Sequence, residues 1–346
     1  MATPNPLGNS QPSSGPAVSV KTLHIAGILT DVYGLDELSP ACKSVSCLWL
    51  LHPRLQTKQL MAGVATTCIT DWNRRVSGSG DGGGKVGLIA VAFDQRNHGS
   101  REVDALANQA WRESNENHAQ DMFSIFHGTA VDTSLLIDHL DSYILKGPDS
   151  PSIDQHLVMG ISLGGHSAWQ VLFNDPRVTA GVVIIGCPDY IRLISDRARL
   201  SKRTSYTTSS GATFLGSVDF PTSLISSIQS QDPKGILFNT SAIPTNPLTQ
   251  SDQARLRPIL TSKLGGKKVL VCSGGDDKLV PYHCSEPFLQ FLKSAADGWW
   301  ADGGLVVEDI VYPGVGHAYS EGMVRDTTRF VSEILAGKST SPESKM

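Results

Sequence analysis

Six short runs of nearly unbroken apolar residues recur along the chain: CLWLL at 47–51, VGLIAVAF at 86–93, HLVMGI at 156–161, GVVIIG at 181–186, KVLVCS at 268–273 and LVVEDIVY at 305–312. Stretches of helical period lie between them, near 58–75, 117–145, 165–174, 284–296 and 322–336. A strand with water on one side alternates apolar and polar residues, so a strand that is apolar throughout must be covered on both faces. Such strands alternating with helices build a mostly parallel sheet with helices on both faces, an α/β fold. Residues 20–187 and 263–337 read as that core. Between them the alternation lapses. Residues 188–262 are rich in Ser and Thr, carry two short amphipathic pieces, DYIRLISDRARL and FPTSLISSI, and read as a lid or cap inserted on the sheet. Residues 1–19, dominated by Pro, Ser, Gly and Asn, read as a disordered tail, and residues 338–346 as a flexible C-terminal tail.

Composition narrows the partners. A net charge of −4 over 346 residues, with no block of Lys or Arg longer than a pair, gives no electrostatic footprint for nucleic acid or anionic lipid. No apolar run approaches the roughly 18 residues of a membrane span, and the N-terminal stretch lacks the basic and apolar regions of a secretory signal, so an intracellular protein is expected. Cys42, Cys47, Cys68, Cys187, Cys272 and Cys284 make no CxxC pair and lie in or beside apolar runs, which suits reduced, buried thiols. His52, His98, His118, His166 and His283 show no ligand spacing, and GDGGGK at 80–85 lacks the phosphate-loop pattern and precedes a strand, as a surface loop would. No metal or cofactor is expected.

The run HLVMGI leads directly into Gly160-x-Ser162-x-Gly164 and then a helical stretch, GGHSAWQVLF. A serine raised on a sharp strand-to-helix turn needs small residues two positions either side, because Cβ atoms there would strike the neighbouring strand and helix. The turn also aims the first amides of the helix at whatever reacts with the hydroxyl, which suits a developing oxyanion. The bland alternative is a structural serine in a Gly-rich turn. A nucleophile needs a base, and the base an orienting acid. Both types follow at strand ends: Gly274-Gly275-Asp276-Asp277-Lys278-Leu279-Val280-Pro281 after KVLVCS, and Pro313-Gly314-Val315-Gly316-His317-Ala318 after LVVEDIVY.

With GISLGG, GGDDKLVP and PGVGHAYS in the order Ser, Asp, His, the chain resembles the α/β-hydrolase superfamily over roughly residues 21–336. The resemblance implies that Ser162 is the nucleophile and His317 the general base. The family's Asp followed, after two residues, by Val-Pro falls on Asp277; Asp276 and Asp189 are the rival acids. It also implies an oxyanion hole built from the backbone N–H of Leu163 and a second amide after CLWLL. Relatives carry His-Gly there, whereas this chain has His52-Pro53-Arg54, and proline has no N–H, which leaves Arg54. The run Asp94-Gln95-Arg96-Asn97-His98-Gly99-Ser100 is similar to a family segment that shapes a turn. Relatives that open epoxides or haloalkanes use an aspartate at the elbow, so a serine implies acyl transfer from an ester, thioester or amide.

The expected substrate is a small ester or thioester with an apolar acyl group, such as an acyl-CoA or a polyketide- or fatty-acid-derived intermediate. The terminal Ser344-Lys345-Met346 differs from the peroxisomal address Ser-Lys-Leu only in its last residue, and so reads as a ligand for the peroxisomal import receptor; without it the protein would be cytoplasmic. DVYGLDEL, LWLLHPR, FDQRNHGSR and HAQDMFS further resemble peroxisomal hydrolases of fungal host-selective toxin clusters (AK-, AF- and ACT-toxin), which implies a role in secondary metabolism. Two other readings share the motif: a binding protein whose chemistry has faded, and a lyase or peptidase using the same three residues.

Overall fold

A computed structural model describes residues 5–8, 17–78, 86–147, 150–244 and 247–337. The GDGGGK loop and the terminal Ser344-Lys345-Met346 lie outside the described residues. The six apolar runs form β3 (Ser44–Leu51), β4 (Val86–Phe93), β5 (Ser152–Ile161), β6 (Val178–Ile184), β7 (Lys268–Gly274) and β8 (Val306–Tyr312). They pair in parallel as β4-β3-β5-β6-β7-β8. Two further strands, β1 (Val20–Ile25) and β2 (Ile28–Tyr33), extend the edge next to β4 as an antiparallel hairpin. Ala26 and Gly27 turn that hairpin at φ 51° and 82°. Strand β1 is exposed over most of its length, and β2, though mostly buried, carries Thr30 and Asp31, so neither reads as an apolar run beside the central ones.

Among the described residues ten α-helices accompany the sheet: α1 (Ala62–Gly78), α2 (His118–Ile144), α3 (Leu163–Asn174), α4 (Tyr190–Leu200), α5 (Thr204–Thr207), α6 (Thr222–Gln231), α7 (Pro233–Phe238), α8 (Gln250–Leu264), α9 (Tyr282–Asp297) and α10 (Glu321–Leu335). Alternate residues of β3 feed opposite cores. Leu48 and Leu50 pack with Trp72 of α1 and Phe330 of α10, whereas Cys47, Trp49 and Leu51 pack with Trp169 of α3, Leu260 of α8 and Phe288 of α9. That is the double burial the apolar runs require.

A third cluster lies apart from the sheet. Phe123 and Phe126 of α2 meet Tyr190 and Ile194 of α4, Phe214 and Phe220 of the connection between α5 and α6, and Leu224 of α6. Residues 188–262 therefore divide. Those of α4–α6 join this third cluster, while α7 and α8 contribute Leu237, Leu256, Leu260 and Leu264 to the core against the sheet. Helix α8 is the covering helix between β6 and β7. Its narrow Leu stripe at i, i+4 and i+8, in an otherwise polar helix, is what hid it among the Ser- and Thr-rich residues.

The N-terminal stretch also differs from a free tail at one point. Asn5–Gly8 forms a turn in which Leu7 is buried and the Pro6 carbonyl accepts the Tyr319 N–H at 2.7 Å. All six cysteines are free and buried. Among the described residues no helix is long and apolar enough to cross a membrane.

Candidate active site

Ser162 sits where β5 ends and α3 begins, with φ 56° and ψ −113°. That backbone is costly for a residue with a Cβ, and persists only where the surroundings hold it. Here the Ser162 N–H donates to the Ile184 carbonyl of β6 at 2.9 Å, and the Ser162 carbonyl accepts the His166 N–H at 3.1 Å. The flanking glycines are required by contact. A Cβ on Gly160 would lie 1.9 Å from the Gly164 carbonyl oxygen, and one on Gly164 would lie 2.0 Å from that of Leu51. Strand, turn and helix are in backbone contact on both sides of the serine.

The two later loops converge on it. Ser162 Oγ lies 2.9 Å from His317 Nε2, and His317 Nδ1 lies 2.8 Å from Asp277 Oδ2. The His317 and Asp277 side chains are 5% and 0% exposed, so water competes little for this pair. The other oxygen, Asp277 Oδ1, accepts the N–H groups of Leu279 and Val280 at 2.8 and 3.0 Å. Burial alone would raise the Asp277 carboxyl; the His317 hydrogen bond and charge and the two amides outweigh it and hold it below the usual carboxylate range. The loops are tied to each other through Asp276 N–H to the Val315 carbonyl, 2.9 Å, and the Pro6–Tyr319 bond fixes the histidine loop from outside.

The other candidate acids fall elsewhere. The Asp276 residue is exposed. Asp189 caps α4, accepting the Arg192 N–H at 3.0 Å, with its carboxyl pushed up by burial.

A cavity of about 300 Å³ opens beside Ser162 and His317, with Leu163 and Arg54 in its wall. Leu163 is the first residue of α3, so its N–H belongs to the helix-end amides that have no acceptor inside the helix. The Pro53–Arg54 turn is pinned by His52, which is fully buried. Its Nε2 accepts the Gln95 N–H at 2.9 Å, which leaves the proton on Nδ1 to donate to the Pro53 carbonyl at 2.8 Å. The next residue, Leu55, has φ 61°.

None of Asp94–Ser100 lines the cavity. Asp94 instead accepts the Lys58 and Ser100 N–H groups at 2.8 and 2.9 Å, and Arg96 forks onto Asp132. These are bonds that shape a turn.

Among the described residues one trio, Asp196, His283 and Cys284, brings possible metal-ligand atoms within 4.8 Å of one another. Asp196 is already bonded by Arg199 at 2.6 Å, and burial pushes the Cys284 thiol up to about 12, which makes this a poor ligand set.

Sequence reasoning missed the cationic wall: Arg112, Arg197, Lys202 and Lys278 also border the cavity. Only the polar stripe of DYIRLISDRARL hinted at Arg197, and nothing in the pattern says which way a helix turns its charged side.

The buried histidines give the fold an acid limit. Burial holds His52 to about 4 and His166 to about 3, and also lowers His98, His118 and His156. In the unfolded chain these groups titrate near 6.5. Below that pH the unfolded chain binds protons that the folded chain does not, so stability falls as pH drops, by about 1.4 kcal/mol per unit for each fully buried histidine down to its folded pKa. Asp121, Asp189 and Asp232, all raised by burial, act in the opposite sense and are outnumbered. The urea midpoint is therefore expected to be lower at pH 5 than at pH 7; an equal or higher value at pH 5 contradicts this.

The model of a family described as the Alpha/beta hydrolase family matches residues 67–331. A search of curated protein sequences finds no match. Among solved structures, TT1662 from Thermus thermophilus superposes with a TM-score of 0.52 at 16% identity, over 92% of this chain and 98% of that one. A Bacteroides ovatus protein assigned as a dipeptidyl aminopeptidase IV gives 0.55 at 13% identity, over 94% of this chain and 37% of its own longer chain. The esterase Pf2001 from Pyrococcus furiosus gives 0.46 at 15% identity, over 93% of each chain. At these identities the likeness is one of fold.

Proposed function

We propose, for a chain that belongs to the alpha/beta hydrolase family, a serine hydrolase that forms an acyl-enzyme on Ser162 and passes the acyl group to water. The observation that carries this reading is the continuous line from Ser162 Oγ through His317 to Asp277, at 2.9 and 2.8 Å. In the first step His317 Nε2 takes the Ser162 proton as Oγ bonds to the substrate carbonyl carbon. The carbonyl oxygen becomes an anion held by the N–H groups of Leu163 and Arg54. Collapse expels the alkoxide or thiolate, which receives the same proton from His317. Water, activated by His317, then releases the acid and restores Ser162. Asp277 keeps Nδ1–H oriented and offsets the imidazolium charge in both halves.

The substrate is a small ester or thioester whose acyl chain packs against the apolar part of the cavity, under a lid formed by α4–α6. Met122, Leu193 and Val280 supply that wall and belong to the third apolar cluster. The likeness of four segments to hydrolases of fungal toxin clusters supports a fatty-acid- or polyketide-derived substrate in peroxisomes, reached through Ser344-Lys345-Met346.

A panel of p-nitrophenyl butyrate, butyryl-CoA and an amino-acid p-nitroanilide tests the reaction class. Ester or thioester cleavage with the anilide untouched is expected. Comparable anilide cleavage would make the protein a peptidase, and no cleavage by folded protein would make it a binder.

A further inference from the structure

Five side chains lining the cavity are cationic, Arg54, Arg112, Arg197, Lys202 and Lys278, and one, Asp196, is anionic. In a chain whose net charge is −4, this concentration does not follow from composition. Asp196 does not neutralise it, because Arg199 already holds its carboxylate at 2.6 and 3.1 Å. Arg112 pairs with Glu113 at 2.8 Å.

Arg197 is different. Its hydrogen bonds go to three neutral acceptors: His118 Nε2 at 2.9 Å, Met122 Sδ at 3.0 Å and the Leu279 carbonyl at 3.0 Å. His118 accepts because its Nδ1 donates to the Gln109 carbonyl at 2.8 Å, and burial followed by the Arg197 charge keeps its ring neutral. Arg54 donates to the Asn108 carbonyl at 2.7 Å. Burial and then the charge of Arg197 hold the Arg54 guanidinium down to about 10. The Glu113 carboxylate counters part of this on Arg54, whereas the hydrogen bonds of Arg197 reach no carboxylate, so Arg197 faces the cavity with its charge the less compensated of the two. That arrangement costs free energy which a bound anion returns, and the planar fork of arginine matches a carboxylate or phosphate.

We propose that the cavity selects a substrate bearing a carboxylate or phosphate, held by Arg197 and Arg54 while the scissile carbonyl lies at Ser162. This rests on the hydrolase reading of the same site. It refines the expected apolar substrate into an amphipathic one: an apolar stretch against Met122, Leu193 and Val280, and one anionic group in the acyl part or the leaving group.

The test compares three butyryl-sized substrates: neutral p-nitrophenyl butyrate, p-nitrophenyl hemiglutarate with its carboxylate in the acyl part, and butyryl-CoA with phosphates in the leaving group. Wild-type kcat/KM is expected to favour at least one anionic substrate over the neutral ester by about tenfold to hundredfold, and which one identifies the side that carries the charge. Arg197→Gln should collapse that ratio, and Arg197→Lys, which keeps a charge without the fork, should retain part of it. In parallel, calorimetric binding of glutarate and of CoA to Ser162→Ala protein reads the anion site without chemistry. Binding that Arg197→Gln abolishes supports the site even if no substrate is cleaved, so a failure of the hydrolase reading is separable. Equal kcat/KM for all three substrates, or a ratio and binding unchanged by Arg197→Gln in folded protein, overturns it.

Discussion

Ser162→Ala is expected to lower turnover by roughly 10⁶ while leaving the cavity in place. The substitution removes one oxygen whose hydrogen bond runs to His317 Nε2 at 2.9 Å. It keeps the Cβ, so the strained backbone at φ 56° is no worse for alanine than for serine, and the bonds that hold the turn are made by main-chain atoms. Steady-state kinetics on the best ester of the panel, with thermal melting of both proteins, checks it. The expected pair of results is lost turnover at an almost unchanged melting temperature. Turnover within tenfold of wild type would remove Ser162 from the reaction. The cavity wall is retained, so the variant should still bind substrate, which makes it the form of choice for trapping a complex.

Asp277→Asn is expected to cost about 10⁴ in kcat, and the hydrogen bonds explain why so small a change matters. Oδ1 accepts two N–H groups, from Leu279 and Val280. In the asparagine variant the amide oxygen must take that place, which turns the NH₂ toward His317 Nδ1. A donor there forces Nδ1 to accept, so the ring proton moves to Nε2, and Nε2 can no longer take the proton of Ser162. Asp276→Asn alters an exposed side chain next door and should stay within a few-fold of wild type. Parallel kcat values for the two variants check the assignment; a larger loss from Asp276→Asn would reverse it.

The parts of this fold most legible in the sequence are those where burial leaves little choice. Strands apolar on both faces announce themselves, and β3–β8 coincide with the six runs. The turn at Ser162 was readable because its glycines answer to hard contacts at Gly160 and Gly164, which exclude any other residue. Spacing alone left Asp276 and Asp277 both open, since adjacent residues in a loop differ only in which one turns inward. Strand β1 and helix α8 were missed because an exposed edge strand and a thin Leu stripe bury little per residue, and β2 because Thr30 and Asp31 interrupt its apolar residues. The packed turn at Asn5–Gly8 depends on one carbonyl and one leucine, too little to show in a Pro- and Ser-rich stretch. The cationic wall was missed for another reason. Arg54, Arg112, Arg197 and Lys278 come from four separate segments, and only the folded chain brings them to one cavity.

The central claim is an activated serine at Ser162. Labelling the purified protein with a fluorophosphonate, with the modified peptide located by mass spectrometry, tests it most directly. Labelling at Ser162 that disappears in Ser162→Ala and in His317→Ala is the predicted result. Folded wild-type protein that takes no label, or takes it at another residue, would contradict the account.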